Sequence, residues 1–405
     1  MSVVGIIIFV VAYVLISARR LQWLRLDRPA GALVGAVAFV IFGVLTPEEA
    51  LSSVDGATIL LLFGVMGMGA FLFLERFFEQ AQEKLVVAAR TPVRLLGYVV
   101  WSAGALSALI TNDAVCVLGA PLVVRLIQKH KLPPLPFLLA LATAANTGSV
   151  ATLVGNPQNM LCGMLGGLSY REHFLLMAPV AVVGLAINHA VLWLSFRHDL
   201  SGLVLSKPEA LPPISWRAKV TMGVIAASAV VYTLGGDLAW TAASGFTLLM
   251  LIHRTDTRRL WERIDWSLLL FFACLFVVVE GLTKSGAPAW LFDRFPLSGG
   301  DDDGLLGWLR LSAIFLVGSN IVSNVPFILV VRDQMDTLPD PKMGWELLAM
   351  ASTFAGNLTL LGSVANIIVA EAAREVGGFG FWQYLRVGFP IALITTGVGA
   401  VWIGL

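Results

Sequence analysis

Two stretches of this chain interrupt apolar segments with Gly and amide side chains in nearly the same order. Residues 152–159 read Thr-Leu-Val-Gly-Asn-Pro-Gln-Asn, and residues 359–366 read Thr-Leu-Leu-Gly-Ser-Val-Ala-Asn. Gly and Pro destabilise helix interiors, and lipid offers no water to the freed backbone groups. Such breaks therefore survive only where they line a protein cavity or hold a solute. A matched pair of interrupted membrane segments is typical of the binding site of a transporter.

The composition places these segments in a membrane. Hydrophobic residues make up 58% of the 405 residues and charged residues 13%, which is more apolar material than a soluble core can bury. We expect an all-α, multi-pass protein of the inner (plasma) membrane, with the lipid bilayer as its partner. The net charge of +1 argues against nucleic-acid binding.

The positions of Lys and Arg predict the topology. Of the 27 basic residues, 21 fall into groups that can share the cytoplasmic side, Arg28 among them. All of these groups can be cytoplasmic only if the apolar segments 95–124 and 305–331 are re-entrant hairpins, which leave the membrane on the side they entered. Ten crossings and two hairpins then place both termini outside the cytoplasm. The acidic stretch 299–304 is predicted on the same outer side.

Internal similarity predicts a duplication. Asp55 and Asp265 each precede an apolar run at an offset of 210, and Asn112 matches Asn324 at an offset of 212. The predicted halves are residues 1–196 and 220–405, joined by a cytoplasmic linker at 197–219. Each half contains about five helices and one hairpin, and the charge pattern gives the halves opposite orientations. The broken helices are predicted at 135–166 and 345–372, with their breaks near the bilayer midplane.

Polar residues at the hairpin tips and the breaks form the predicted site. Their hydroxyls, amides and carbonyls suit an oxyanion or Na⁺, and the N-termini of half-helices favour negative charge. The predicted solute-binding residues are Thr111, Asn112, Asn156, Asn159, Ser323, Asn324, Ser363 and Asn366. The predicted ion-coupling residues are Asp113, Asn112, Gly155, Asn324, Thr359 and Gly362. The alternative is that small polar residues merely allow close helix packing.

Asp113 is the only carboxylate predicted at a hairpin tip, and its counterpart in the second half is Val325. Because an ionisable group within a membrane is costly and usually functional, we expect Asp113 to carry a proton or hold a cation. The alternative is that it caps the second arm of its hairpin. Asp55 and Asp265 are predicted helix caps. Weaker candidates for a transport role are Glu280, His189, Cys116 and Cys162.

Several chemistries lack their sequence signatures. No G-x-x-x-x-G-K-[ST] loop occurs, so the chain does not bind ATP in that way, although a separate ATPase partner stays open. No H-E-x-x-H motif occurs, and no nucleophile and base stand at suggestive spacing. We therefore expect neither an enzyme nor a metal site beyond Na⁺, and no cofactor other than H⁺ or Na⁺ as the coupling ion.

The motifs resemble those of the ion transporter superfamily, which includes arsenite efflux carriers, NhaD-type sodium/proton antiporters, citrate permeases and divalent-anion/sodium symporters. Thr111-Asn112-Asp113-Ala114 is similar to the hairpin signature of the arsenite branch. Residues 146–159 resemble the first broken helix of the family, except that Gln158 replaces the usual second proline. Residues 276–282 also resemble the arsenite branch.

This resemblance implies a homodimer whose transport domain moves in an elevator-like manner against a scaffold. We expect a secondary carrier of a small inorganic or organic anion, such as arsenite, antimonite, another inorganic oxyanion or a carboxylate, coupled to H⁺ or Na⁺. The alternatives are a sodium/proton antiporter that binds no anion, and a channel or an accessory membrane subunit.

Overall fold

A computed structural model describes residues 2–17, 26–206, 213–297 and 304–405, and these ranges contain helices and no strands. The helices of the first half are α1 (Val3–Ser17), α2 (Arg28–Ile41), α3 (Pro47–Ser52), α4 (Gly56–Leu74), α5 (Phe77–Ala89), α6 (Pro92–Leu109), α7 (Asn112–His130), α8 (Pro134–Ser149), α9 (Pro157–Leu165) and α10 (Tyr170–Leu200).

Ten further α-helices follow in a similar order of long and short elements, except that the seventh of them has 8 residues where α7 has 19. They are α11 (Trp216–Thr233), α12 (Leu238–His253), α13 (Thr257–Trp261), α14 (Trp266–Lys284), α15 (Ala287–Arg294), α16 (Leu305–Val322), α17 (Asn324–Val331), α18 (Pro341–Leu358), α19 (Val364–Ala372) and α20 (Phe381–Ile403). Short 3-10 helices occupy Arg332–Thr337, Leu360–Gly362 and Ala373–Val376. The starts of α4 and α14, at 56 and 266, differ by 210, as the predicted duplication requires.

The long helices are suited to a membrane, which confirms the predicted all-α, multi-pass class. In the described ranges, six helices are long and apolar enough to cross: α4, α6, α10, α14, α16 and α20. Shorter apolar helices run over Val3–Ile16, Arg28–Ile41 and Leu238–His253. The count of ten crossings, the re-entrant course of the hairpins, the inverted orientation of the halves and the side of the termini stay predictions.

The packing divides the helices into two groups. In the frame group, α2 of the first half packs against α14 of the second, and α4 packs against α12, with α1 and α11 beside them. In the core group, α6, α7 and α10 surround α8, while α16 and α20 pack against α18. The halves also exchange contacts here, because α19 packs on α7 and α8, and α9 packs on α17 and α18.

The predicted hairpins and breaks have clear helical boundaries. The arms of the first hairpin, α6 and α7, span 92–130 and are longer than the predicted 95–124, whereas the second hairpin matches 305–331. Helices α8 and α9 leave 150–156 unwound, and α18 and α19 are separated by 359–363. Helix α10 continues to Leu200, so it takes up the start of the predicted linker. Residues 18–25, 207–212 and 298–303, which include part of that linker and of the acidic stretch, lie outside the described ranges.

Candidate functional site

The tip of the first hairpin is tied to the first break. The Asn112 backbone N–H donates to the Gly155 carbonyl (2.9 Å), and the Asn112 side-chain amide donates to Oδ1 of Asn146 on α8 (2.9 Å). Thr111 caps α7, since its hydroxyl accepts from the Ala114 N–H (3.2 Å). The cap of this helix is therefore Thr111 and not the Asp113 carboxylate, which leaves that carboxylate available for another role.

The tip of the second hairpin is tied to the second break in a similar way. The Asn324 side-chain amide donates to the Gly362 carbonyl (3.1 Å), and Thr359 donates to Oδ1 of Asn320 on α16 (3.1 Å). The tips differ in backbone conformation. Ser323 has φ +73° and ψ +147°, a conformation that costs free energy for a residue with a side chain, whereas its counterpart Thr111 is extended.

Two asparagines hold the unwound segments in shape. In the first break, Nδ2 of Asn159 donates to the Ser149 carbonyl (3.2 Å) and to the Thr152 carbonyl (3.0 Å). Helix α9 is capped by Asn156, whose Oδ1 accepts from the Asn159 N–H (2.8 Å). Both side chains are fully buried. Asn159 therefore satisfies carbonyls that the break removes from the helical ladder, while Asn156 satisfies a backbone N–H at the start of α9.

The second break repeats this arrangement 207 residues later. Nδ2 of Asn366 donates to the Gly356 carbonyl (2.7 Å) and to the Thr359 carbonyl (3.2 Å). Ser363 caps α19 by accepting from the Ala365 N–H (3.2 Å). The same carbonyl positions are therefore satisfied by the same side chain in both halves.

Each break is also held by the opposite half. Thr353 on α18 donates to Oδ1 of Asn159 (2.9 Å), and Asn146 on α8 donates to Oδ1 of Asn366 (3.0 Å). Thr353 lies 207 residues after Asn146, the offset that also relates the two asparagines that they contact. This reciprocal pairing makes a single polar network of the two broken helices.

A cavity of about 280 Å³ lies where the frame and core groups meet. Its frame wall is formed by α4, the segment 262–265 and the start of α14, and its core wall by the first hairpin tip and the two half-helices α9 and α19. The polar and charged side chains that line it are Thr111, Asp113, Glu262, Arg263 and Asp265.

A second cavity of about 50 Å³ adjoins the first and shares Asp113, Pro157, Leu268 and Val364 with it. Its polar lining consists of Arg28, Asp113, Gln158, Ser323, Asn324 and Ser363. Since Asp113 borders both spaces, its carboxylate lies where the larger cavity leads into the smaller one. We refer to the smaller space as the inner cavity.

Arg28 is a residue of the inner cavity that the sequence reasoning counted only as a marker of the cytoplasmic side. From the first position of α2, in the frame, its Nη2 donates to the Ser323 hydroxyl at the second hairpin tip (3.2 Å). The guanidinium also lies over the Phe271 ring, 5.3 Å from the centroid. Nothing in the local sequence distinguishes Arg28 from the other basic residues near helix ends.

The charges that act on Asp113 come from three elements. Arg28 on α2 attracts its carboxylate and Asp265, before α14, repels it, while the backbone N–H of Ala365 at the start of α19 lies near enough to stabilise its negative charge. The carboxylate therefore occupies the positive end of a half-helix, where an anion would also be favoured.

Two buried acceptor oxygens around the inner cavity have no hydrogen-bond partner among the described residues. They are Oε1 of Gln158, at the start of α9, and Oδ1 of Asn324, at the start of α17. Unpaired buried oxygens are costly, so a donor group or a cation at this place would be stabilised. The described ranges contain no cluster of three or more His, Cys, Asp and Glu that could hold a metal ion.

The predicted site residues fall into two sets. Those that line a cavity are Thr111, Asp113, Ser323, Asn324, Gly362 and Ser363. The others, which form the network behind the cavities, are Asn112, Gly155, Asn156, Asn159, Thr359 and Asn366. The structure therefore brings all of them to one region, although only the first set reaches the open space.

The remaining candidates have ordinary partners. Asp55 and Asp265 cap α4 and α14, as predicted. Glu280 pairs with Arg332 (2.7 Å). His189 accepts from the Trp101 indole (3.4 Å), and Cys116 and Cys162 are buried free thiols.

Sequence reasoning missed a buried contact between His173 and Glu346, because no local pattern relates residues 173 positions apart.

Comparison with known proteins agrees with this architecture. Residues 11–355 match the family model described as CitMHS, citrate transporter. The silicon efflux transporter LSI3 of Oryza sativa subsp. japonica is 31% identical over 99% of this chain and 97% of its own length. The putative transporter arsB of Dictyostelium discoideum is 25% identical over 97% of this chain and 90% of its own.

A solved structure shares the fold. The Alcanivorax borkumensis YdaH transporter, whose topology is described as unusual, superimposes with a TM-score of 0.55 at 14% identity, covering 96% of this chain and 89% of that one. The family match covers most of the chain, and its members are transporters and not enzymes. The chain is thus a multi-pass membrane transporter that belongs to the CitMHS citrate transporter family, a part of the ion transporter superfamily.

Proposed function

We propose that this protein is a secondary active carrier of a small anion or oxyanion, driven by H⁺ or Na⁺. The observation that carries the proposal is the inner cavity, where Arg28, Asp113 and the hydroxyl of Ser323 come together at the meeting point of both hairpins and both breaks. The silicon efflux transporter among the relatives favours an inorganic oxyacid, and arsenite or antimonite and a carboxylate belong to the same proposal.

The donors of the inner cavity fit an oxygen-rich solute. Arg28 supplies a fixed positive charge, Ser323 and Ser363 supply hydroxyls, and the N-terminus of α19 supplies backbone N–H groups. The unpartnered oxygens of Gln158 and Asn324 would accept from hydroxyl groups of the same solute. In this proposal the buried asparagines of the network position the breaks and do not contact the solute.

Asp113 explains how an ion gradient could drive transport. Its carboxylate lies at the positive end of α19 and near Arg28, so an incoming anion would meet like charge. A proton or Na⁺ on Asp113 removes this repulsion and leaves Arg28 and the helix end to the anion. A neutral hydroxylated solute would instead donate to the ionised carboxylate, and a proton would then compete with it.

The division into frame and core helices supports an elevator-like movement. The cavities lie at the boundary between the two groups, and Arg28 reaches from the frame to a hairpin tip of the core. A sliding core would carry Asp113 and both breaks past a stationary Arg28. The homodimer implied by the family resemblance would anchor the frame.

The second candidate function is a sodium/proton antiporter without an anion. It is favoured by the carboxylate of Asp113 beside the unpartnered oxygens of Gln158 and Asn324, because oxygen ligands suit Na⁺.

Vesicles that contain the purified protein separate the two functions. An antiporter should collapse a preset pH gradient when Na⁺ alone is added, whereas the proposed carrier should need an anion or oxyacid on the same side. If Na⁺ alone gives full collapse, the anion proposal is wrong. If the collapse requires an anion or oxyacid, a thermal-shift screen against arsenite, silicate, phosphate, sulfate and citrate, with and without Na⁺, identifies the solute.

A further inference from the structure

A buried titratable pair lies outside the proposed solute site and touches the first break. His173 on α10 and Glu346 on α18 are 0% and 3% exposed, and Nδ1 of the imidazole lies 2.6 Å from Oε2 of the carboxyl group. The other ring nitrogen, Nε2, lies 3.1 Å from the carbonyl of Val150, the residue that follows α8. The pair thus links α10, the broken helix of the second half and the break of the first.

The hydrogen-bonding groups determine where the protons are. A carbonyl only accepts, so Nε2 of His173 carries a proton and donates it to Val150. A second proton must lie between Nδ1 and Glu346, because a ring lone pair facing a carboxylate at 2.6 Å would be repelled. The pair therefore holds one proton more than a separate neutral imidazole and carboxylate would.

We propose that His173 and Glu346 are positioning residues, which hold the first break in its closed geometry through Val150 and release it when their shared proton is lost. The break contains Asn156, and Asn159 on α9 bonds to its carbonyls, so its release would disturb the network that shapes the site. This inference does not depend on which solute is carried.

The pair belongs to one half only. Tyr384 and Leu139, 211 residues after His173 and 207 residues before Glu346, occupy the corresponding positions of α20 and α8 and cannot form an ion pair. The proton-dependent contact would therefore act on the first break and not on the second.

Titratable groups of three helices act on the pair or lie near it. The Cys162 thiol on α9 and the ammonium of Lys342 on α18 interact with Glu346. Lys342 itself pairs with Glu172 at the exposed surface, so its charge is balanced there. Asp340 also acts on Lys342, and Tyr170 lies one turn before His173 on α10.

Hydrogen exchange of the full-length protein in detergent tests the inference without any transport measurement. A solvated imidazole is neutral above about pH 7, so the open break would bind one proton fewer than the closed one. Exchange of the backbone amides at 151–156, corrected for the intrinsic rate, should rise about tenfold per pH unit between pH 7.5 and 9.

Three variants provide the comparison. Glu346→Gln can donate from its amide to Nδ1, so it should keep the break protected and abolish the extra pH dependence of exchange. Glu346→Leu, which introduces the residue type of the counterpart Leu139, should leave the break open at every pH. Glu280→Gln, which alters an ion pair of the frame helix α14, should behave as the wild type.

Two results would overturn the inference. One is a wild-type protein in which amide exchange at 151–156, after correction for the intrinsic rate, does not change between pH 7.5 and 9. The other is a Glu346→Gln variant that retains the wild-type pH dependence.

Discussion

The side-chain amide of Asn146 donates to Oδ1 of Asn357 across the centre of the molecule (3.1 Å). These residues lie on α8 and α18, the first parts of the two broken helices, and are 211 positions apart in the sequence. The contact therefore joins the two broken helices directly, although the counterpart of Asn146 at the offset of 207 is Thr353 and not Asn357. Both side chains are buried, so the interaction is shielded from water and fixes the halves relative to each other.

Replacement of Asn146 with Ala should destabilise the protein severely. Its amide group contacts the side chains of Asn112, Asn357, Ser363 and Asn366, so truncation leaves several buried polar groups without a partner. The expected loss is about 3 kcal/mol or more of unfolding free energy. It would appear as a lower unfolding temperature in detergent.

Thr247→Ala is the control for this change, because Thr247 is exposed and its hydroxyl donates to the Ala243 carbonyl within its own helix, α12. Equal unfolding temperatures for the two variants would contradict the structural role of Asn146.

Replacement of Arg28 with Ala should weaken binding of the solute anion. Removal of one partner from a desolvated charge pair costs about 2–5 kcal/mol, which corresponds to at least a roughly 30-fold higher Kd. Arg28→Lys keeps the charge but loses the forked donor geometry, so an intermediate Kd is expected. Calorimetric titration of the purified protein measures both.

A matched control for Arg28 is Arg197→Ala, since Arg197 also lies over an aromatic ring, that of Trp193, but at the far end of α10. Unchanged anion affinity in Arg28→Ala would exclude Arg28 from the binding site.

Replacement of Asp113 with Asn should uncouple transport from the driving ion. The amide cannot take up a proton and holds a cation poorly, so the solute should move down its own gradient with no dependence on pH or Na⁺. Flux into vesicles with and without an imposed ion gradient measures this. Full wild-type rate together with full ion dependence in Asp113→Asn would refute the coupling role.

The pH dependence of binding distinguishes a charged from a neutral solute. If an anion requires a protonated Asp113, its Kd should fall by up to about tenfold for each unit that the pH decreases. If a neutral oxyacid donates to the ionised carboxylate, its Kd should rise as the pH decreases. In Asp113→Asn either dependence should disappear, and its persistence would mean that another group takes up the proton.

Replacement of Gly148 with Ala should disrupt the packing of α6 on α8. A Cβ atom at Gly148 would lie 2.3 Å from the Cα of Gly104, so the two helices would have to separate. Overpacking of this kind costs about 1–3 kcal/mol. The measurement is the unfolding temperature in detergent.

Gly223→Ala is the matched control, because a Cβ atom there has no neighbour within 4 Å. Alanine is the better helix former, so this variant should be slightly more stable than the wild type. A Gly148→Ala protein as stable as Gly223→Ala would show that the close approach of the helices is not required.

Local sequence predicted the elements of this fold well. Gly, Pro and Asn within apolar segments marked the breaks at 150–156 and 359–363, because lipid leaves few alternatives for an interrupted helix. The caps at Asp55 and Asp265 followed from the residue type alone. The first hairpin was predicted too short, since its second arm continues through Lys129 to His130, where a charge near the helix end gives no sharp boundary.

By itself, the sequence determined that the chain is a helical membrane transporter, that its broken segments occur in pairs, and which polar residues accompany them. These properties depend on hydrophobicity and on neighbouring residues. Only the tertiary structure decided that Asn159 and Asn366 close the breaks while Asp113 and Ser323 face the cavities, and that Arg28, His173 and Glu346 reach this region at all. The contacts of Arg28 with Ser323 and of His173 with Glu346 join side chains 295 and 173 positions apart, so they depend on how helices pack, which no spacing in the sequence encodes. The bonds of Asn159 and Asn366 depend on the path of the unwound backbone, which residue type alone does not determine.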